Sequence, residues 1–275
     1  MSATGHRPFQ QISDGSFDEP FSVLGLHETG GKQSLTGFHP DADKVEAVDA
    51  KTGARICALV SHEAAGIFHA VTDRADRFAY RLRFKRGGDT WEADDAYRFG
   101  PVLGELDEYL IGEGSHLRLW EKLGAHVMDH EGTRGTHFAV WAPNARRVSL
   151  VGNFNSWDGR RNVMRRCGGT GVWEIFMPDL DEGAVYKFEL TDAGGNLLPE
   201  KADPFGFGSE HPPKTASVVR DLHSYTWRDD AWMSVRGEKQ RIAQPISIYE
   251  VHLGSWRRIP EDGNRSLSYL EHARE

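Results

Sequence analysis

Cysteine is scarce in this chain of 275 residues: only Cys57 and Cys167 occur, far apart and outside any CxxC spacing. That pattern excludes a disulfide framework and a zinc ribbon, and it fits a reducing cytoplasm. Long apolar runs are also missing. Mean hydropathy is -0.55, and no uncharged stretch reaches the ~20 residues that a membrane-spanning helix needs. Met1–Phe17 is polar and lacks the apolar core of a secretory signal. Nor is there an excess of positive charge. Lys and Arg total 33 against 41 for Asp and Glu, a net charge of -8. This argues against a nucleic-acid partner, whose phosphates would need neutralising. A Walker loop, GxGxxG and GxSxG are all absent, so no cofactor and no serine nucleophile are implied.

What remains is short, alternating strands punctuated by glycine. One series runs through Ser34–Phe38, Lys44–Val48, Arg55–Val60, Ile67–Thr72, Phe78–Lys85 and Thr90–Ala93. A second runs through His137–Trp141, Val148–Gly152, Val163–Arg166, Val172–Met177, Ala184–Leu190 and Ser217–Arg220. Strand spacing of roughly 8–12 residues predicts immunoglobulin-like β-sandwiches. Three matches in the same order make the series read as copies of one unit. Pro40–Val45 answers Pro143–Val148, Gly66–Ala70 answers Gly171–Ile175, and Tyr80–Phe84 answers Tyr186–Leu190. The expected architecture is mostly β, with modules at 17–103 and 127–236 joined by a helical linker at 104–126. In that linker Gly124 reads as a helix stop, and Trp120 is expected to be buried between the modules. The nearly continuous apolar run Pro245–Leu253 reads as a strand covered on both faces, followed by a helix start at Ser266–Glu275.

The candidate chemistry lies in Val151-Gly-Asn-Phe-Asn-Ser-Trp-Asp-Gly159, where a strand ends and a loop displays Asn153, Asn155, Trp157 and Asp158. Sugar C–H faces stack on aromatic rings while amides and charged groups bond the hydroxyls, so this loop suits a glycan; a Trp capping the sandwich end against Phe154 is the bland alternative. The paired carboxylates Asp94–Asp95, Asp181–Glu182, Asp229–Asp230 and Glu261–Asp262 read as solvated charge in turns, because adjacent side chains diverge. His126 and His130 stand at i,i+4 with no third ligand, so no metal site is expected.

Gly135–Ala145 followed by Gly152–Asp158 resembles the glycogen-binding sandwich (carbohydrate-binding module 48-like) of α-glucan branching and debranching enzymes. Phe21–His27, Arg98–Gly104, His116–His126, Asp203–Phe207, Pro213–Val218 and Tyr249–Arg258 narrow the resemblance to bacterial 1,4-α-glucan (glycogen) branching enzymes. That resemblance implies glycogen biosynthesis: α-1,6 branches made by retaining transglycosylation on a (β/α)₈ barrel. It places Pro245–Leu253 on the first barrel strand, so the tail is expected to be an incomplete barrel. The catalytic carboxylates would lie on later strands, so this N-terminal portion is expected to be inactive alone. The resemblance further implies an α-1,4-glucan partner, a platform at Trp157 and a hydroxyl-binding Lys187. A second platform ring is expected in Asp192–Leu198, which has no aromatic residue, so binding should be weak. The other reading is a free-standing interaction module that docks a separately encoded catalytic barrel.

Exposed strand edges invite aggregation. Cutting the chain after about Lys239 should therefore leave both sandwiches folded and raise solubility; a shorter chain that no longer unfolds cooperatively would show the tail to be part of the fold.

Overall fold

The computed structural model describes residues 6–275, so the first five residues of the polar N-terminal stretch lie outside it. The chain divides after Ser224 into two compact units. The larger unit opens with helix α1 (His6–Ser13). Phe9 and Ile12, three residues apart, share one helix face. Ile12 is buried with Leu24, Ala64 and Ile67, so the helix is pinned to the first sheet.

That sheet comprises β1 (Gly25–Thr29), β2 (Lys32–Phe38), β3 (Lys44–Asp49), β4 (Arg55–Ser61), β5 (Ile67–Val71), β6 (Tyr80–Arg86) and β7 (Asp89–Asp94). Its order is β1-β2-β5-β4-β3-β6-β7. The strand pattern anticipates two facing sheets, but β4 pairs with both β3 and β5 and joins the halves into one curled sheet. Leu35, Leu59 and Phe68 from one half meet Val45, Tyr80, Leu82 and Phe84 from the other in a single core.

Helix α2 (Glu105–Glu113) leads to β8 (Gly124–His130), β9 (Thr133–Trp141), β10 (Arg147–Gly152), β11 (Arg165–Cys167), β12 (Val172–Pro178), β13 (Val185–Thr191) and β14 (Ser217–Val218). They form a four-stranded sheet, β11-β12-β9-β8, and a three-stranded sheet, β10-β13-β14. A single bridge, Ser149 with Val163, links the two. Phe138, Val140, Trp173 and Ile175 of one sheet pack on Val148, Leu150, Tyr186 and Phe188 of the other, which makes a sandwich.

Through its first six strands (β8-β9-β12-β11-β10-β13) the second order is the first advanced by seven, with one bridge in place of a ladder between β11 and β10, and the likeness extends to individual atoms. Gly66 and Gly171 both sit at φ +79°, where a Cβ would come within 2.9 Å of Pro40 Cα and Pro143 Cα respectively. His27 Nε2 lies 2.9 Å from the Leu24 carbonyl, and His126 Nε2 lies 3.0 Å from that of Leu123. Tyr80 donates to Asp95 at 2.6 Å, as Tyr186 does to Asp203 at 2.7 Å. The second oxygen of each carboxylate accepts the backbone N–H two residues on, from Tyr97 and from Phe205. Each pair ties a central strand to the strap that closes its module. Asp95 is thus buried, not solvated as the sequence suggested, while its neighbour Asp94 pairs with Arg98 at 2.8 Å.

Between the modules the linker departs from expectation. Its second half is a single 3₁₀ turn, Leu119–Glu121, and Trp120 is 52% exposed. The chain turns at Gly124 (φ +101°) directly into β8, so Leu123 and Ala125 take the buried positions that a second helix would have filled. A buried carboxylate holds the linker instead. Glu174 accepts Leu103 N–H at 3.0 Å and lies 2.9 Å from His137 Nε2, with the Arg165 guanidinium 3.9 Å away. Burial alone would raise its pKa, but the His137 contact, the Leu103 N–H and Arg165 outweigh that and hold it below the glutamate range.

The smaller unit carries α3 (Asp230–Lys239), α4 (Leu253–Trp256), the two-residue strands β15 (Arg258–Ile259) and β16 (Arg265–Ser266), and α5 (Tyr269–His272). No incomplete barrel is formed. Pro245–Leu253 is not a strand: Ile246, Ile248 and Tyr249 are all at least 77% exposed, and the predicted helix is the single turn α5. A strand exists only where a ladder satisfies its backbone, and no neighbour in this unit offers one to that run. No helix among the described residues is long and apolar enough to cross a membrane.

Tyr80→Phe and Tyr186→Phe should each cost about 1–3 kcal/mol in urea unfolding, since each strips a buried carboxylate of its partner. Glu174 stabilises the fold above its unfolded pKa, and that contribution is lost as pH falls through the lower folded value. Glu174→Gln should therefore destabilise by about 2 kcal/mol near neutrality and flatten the acid limb of stability against pH; an unchanged limb would assign it to other groups.

Candidate functional site

The two copies differ sharply between their third and fourth strands. Residues 50–54 make a tight turn from β3 to β4, whereas residues 153–164 form a long loop from β10 to β11. Asn155 organises this loop. It is 2% exposed, its carbonyl accepts Gly152 N–H at 3.0 Å, and its amide donates to Leu150 O and Asn162 Oδ1, both at 2.8 Å. Its hydrogen-bonding capacity is spent inside the loop, so the structure makes it a support for the surface and not part of it.

That support forces Ser156 and Trp157 into consecutive left-handed conformations, each at φ +59°. Such residues cost about 1–3 kcal/mol each, so the loop must over-determine them. Trp157 N–H donates to Gly152 O at 2.9 Å, and the indole Nε1 donates to Asn153 Oδ1 at 2.8 Å. Asn153 is exposed and fixes the ring by its side chain. The half-buried indole then lines a 620 Å³ groove over the outer face of β10 and β13.

The groove is polar, but its charge is balanced. Arg147 Nη2 meets Glu189 Oε1 at 2.5 Å, Arg160 Nη2 meets Asp158 Oδ2 at 2.7 Å, and Arg146 Nε lies 3.5 Å from Asp18 Oδ2. Burial pushes the Asp158 carboxyl up, but the Arg160 hydrogen bonds prevail and hold it below the aspartate range. Every guanidinium in the groove already faces a carboxylate. The surface therefore suits a neutral, hydroxyl-rich ligand better than an anion. From the 192–198 hairpin the groove takes Gly194, Gly195 and Leu197, the last 64% exposed, in the place where the family resemblance implies an aromatic ring.

Lys187 shares a face of β13 with the groove residues Glu189 and Thr191. It lies outside the groove lining, however, with Nζ 3.8 Å from Glu200 Oε2. Of the four candidate residues, the structure thus brings Trp157 and Asn153 together at the surface, places Asn155 beneath them, and sets Lys187 beyond the rim. Sequence reading missed Arg146, Arg160, Glu189 and Leu197. Alternation along β13 could have found Glu189, but only the fold brings the others in. Trp91 stacks on Phe84 at 5.6 Å in a separate cleft between the modules. His126 and His130 lie on β8, not after a helix, and their Nε2 atoms face the carbonyls of Leu123 and Gly100.

Two family models match. Residues 6–97 match the N-terminal domain of α-1,4-glucan branching enzyme GlgB, and residues 122–206 match carbohydrate-binding module 48 (isoamylase N-terminal domain). Similar proteins include 1,4-alpha-glucan branching enzyme GlgB of Roseobacter denitrificans, 60% identical over 95% of this chain and 36% of the relative. Those of Cereibacter sphaeroides, 52% identical over 90% of this chain and 34% of the relative, and Myxococcus xanthus, 46% over 95% and 36%, behave alike. The chain spans about a third of the length of these curated relatives. With one domain model following the other in the order found here, the chain belongs to the 1,4-α-glucan branching enzyme family, of which it represents an N-terminal portion.

Proposed function

We propose that this chain supplies α-1,4-glucan binding to glycogen branching, holding a glucan chain on the Trp157 groove and orienting it toward a catalytic barrel. The observation that carries this reading is the rigidly held, half-exposed indole beside three ion-paired guanidiniums, which together offer one stacking face and many hydroxyl partners. Asn153 orients the ring and Asn155 holds the loop. Lys187, one alternation beyond Glu189, can meet a chain that extends past the rim. We assign two immunoglobulin-like modules, at 6–103 and 124–224, with α1 and β8 added to the spans read from sequence. The two free cysteines fit a cytoplasmic protein.

A second reading rests on the smaller unit, where Ile246, Ile248 and Tyr249 are exposed. In it the chain docks a separately encoded catalytic barrel, and mixing the two should restore branching.

With only one aromatic platform, affinity should be modest. Trp157→Ala should weaken maltoheptaose binding about tenfold or more, equivalent to about 1.4 kcal/mol, without changing the unfolding temperature. Calorimetric titration reads the first and scanning calorimetry the second. Unaltered affinity would remove the groove from glucan binding.

A further inference from the structure

The groove is not built by the second module alone. Asp14, Gly15 and Ser16, which follow α1 on the first module, line it together with Trp157, Asp158 and Arg160. Contacts fix that turn in place. Arg160 Nη1 lies 3.5 Å from the Ser13 carbonyl, and Arg146 pairs with Asp18. Gly15 is at φ +72°, and a Cβ there would sit 2.8 Å from Arg160 Cγ, so the turn abuts the very side chain that carries the groove's central ion pair. On the other side of the same loop, Val163 N–H donates to Tyr97 Oη at 3.0 Å, and Arg161 Nη2 lies 2.5 Å from His39 Nε2. Burial, reinforced by Arg161, lowers the His39 pKa to about 4, so its ring is neutral at physiological pH. The first module therefore grips the platform loop from both sides.

We infer that the glucan site is composite: the Asp14–Ser16 turn of the first module forms a wall of the Trp157 groove and bonds sugar hydroxyls there, in place of the second aromatic platform that the 192–198 hairpin lacks. This inference rests on the reading of the groove as a glucan site. Both Asp14 and Ser16 are exposed, and among the described residues their side chains hydrogen-bond to Gln10 and to the Gln11 carbonyl within α1. They can be changed without touching either core. They are specificity-determining surface groups, whereas Arg160, Arg161, His39 and Tyr97 act as positioning residues.

The test is calorimetric titration of the full chain with maltoheptaose. Asp14→Ala and Ser16→Ala should each weaken binding about threefold and the double variant about tenfold, with unchanged unfolding temperature. Asp14→Asn and Ser16→Thr, which keep a hydrogen-bonding group, should retain most of the affinity. Wild-type affinity in the double variant, where Trp157→Ala does weaken binding, would overturn the composite site and leave the single-module site standing. Wild-type affinity in both would overturn the two readings together.

Discussion

A carboxylate sealed inside a β-sandwich is tolerable only if hydrogen bonds replace the water it has lost. In both modules of this chain that carboxylate meets a tyrosine hydroxyl and one backbone N–H, at Tyr80–Asp95–Tyr97 and at Tyr186–Asp203–Phe205. The bond joins the sixth strand of each copy to the strap that follows it. Burial pushes both carboxyl and phenol pKa values up, so the pair is geometric as much as electrostatic: the phenol O–H fills one carboxylate oxygen and the backbone N–H the other. Closing the strap in turn places Tyr97 against Val163, in the loop just before the second module's fourth strand. The placement of the platform loop depends on that bond.

Duplication then explains where the two modules diverge. Two copies that keep the same strand order, the same Gly–Pro approach and the same His–carbonyl contact have little freedom inside their cores. They are free to differ in the connections. The turn at 50–54 satisfies much of its backbone through Asp49, which accepts Lys51 and Thr52 N–H. The loop at 153–164 needs an internal Asn155 to do the same for a longer path, and in return it presents a ring. This is the usual division between a rigid scaffold and a surface loop that carries binding residues.

Much of this was legible beforehand, and the misses have physical causes. Alternation located twelve strands to within a few residues because each has one face on a core. It passed over β1 and β8, where Gly25-Leu-His-Glu-Thr29 has one apolar side chain and Gly124–His130 follows a helix-like run. Apolar content at Pro245–Leu253 reports a side chain's preference for burial, but a strand also needs a neighbour's backbone. The loop sequence suggests a displayed Trp157, and the ring is half-buried at the groove. Sequence alone could not reveal that Asn155 points inward and Asn153 outward, since both asparagines suit a turn equally well.

The balance of charge at the groove has a further consequence. Arg146, Arg147 and Arg160 are each neutralised by a neighbour, yet a paired guanidinium keeps donors to spare and a paired carboxylate keeps acceptors. A sugar hydroxyl is both donor and acceptor and can join such a network without breaking an ion pair. An anion would have to displace Glu189, Asp158 or Asp18 first. On the reading of the groove as a glucan site, discrimination against charged ligands comes from the protein's own pairs, and affinity is left to one indole face and the hydroxyls around it.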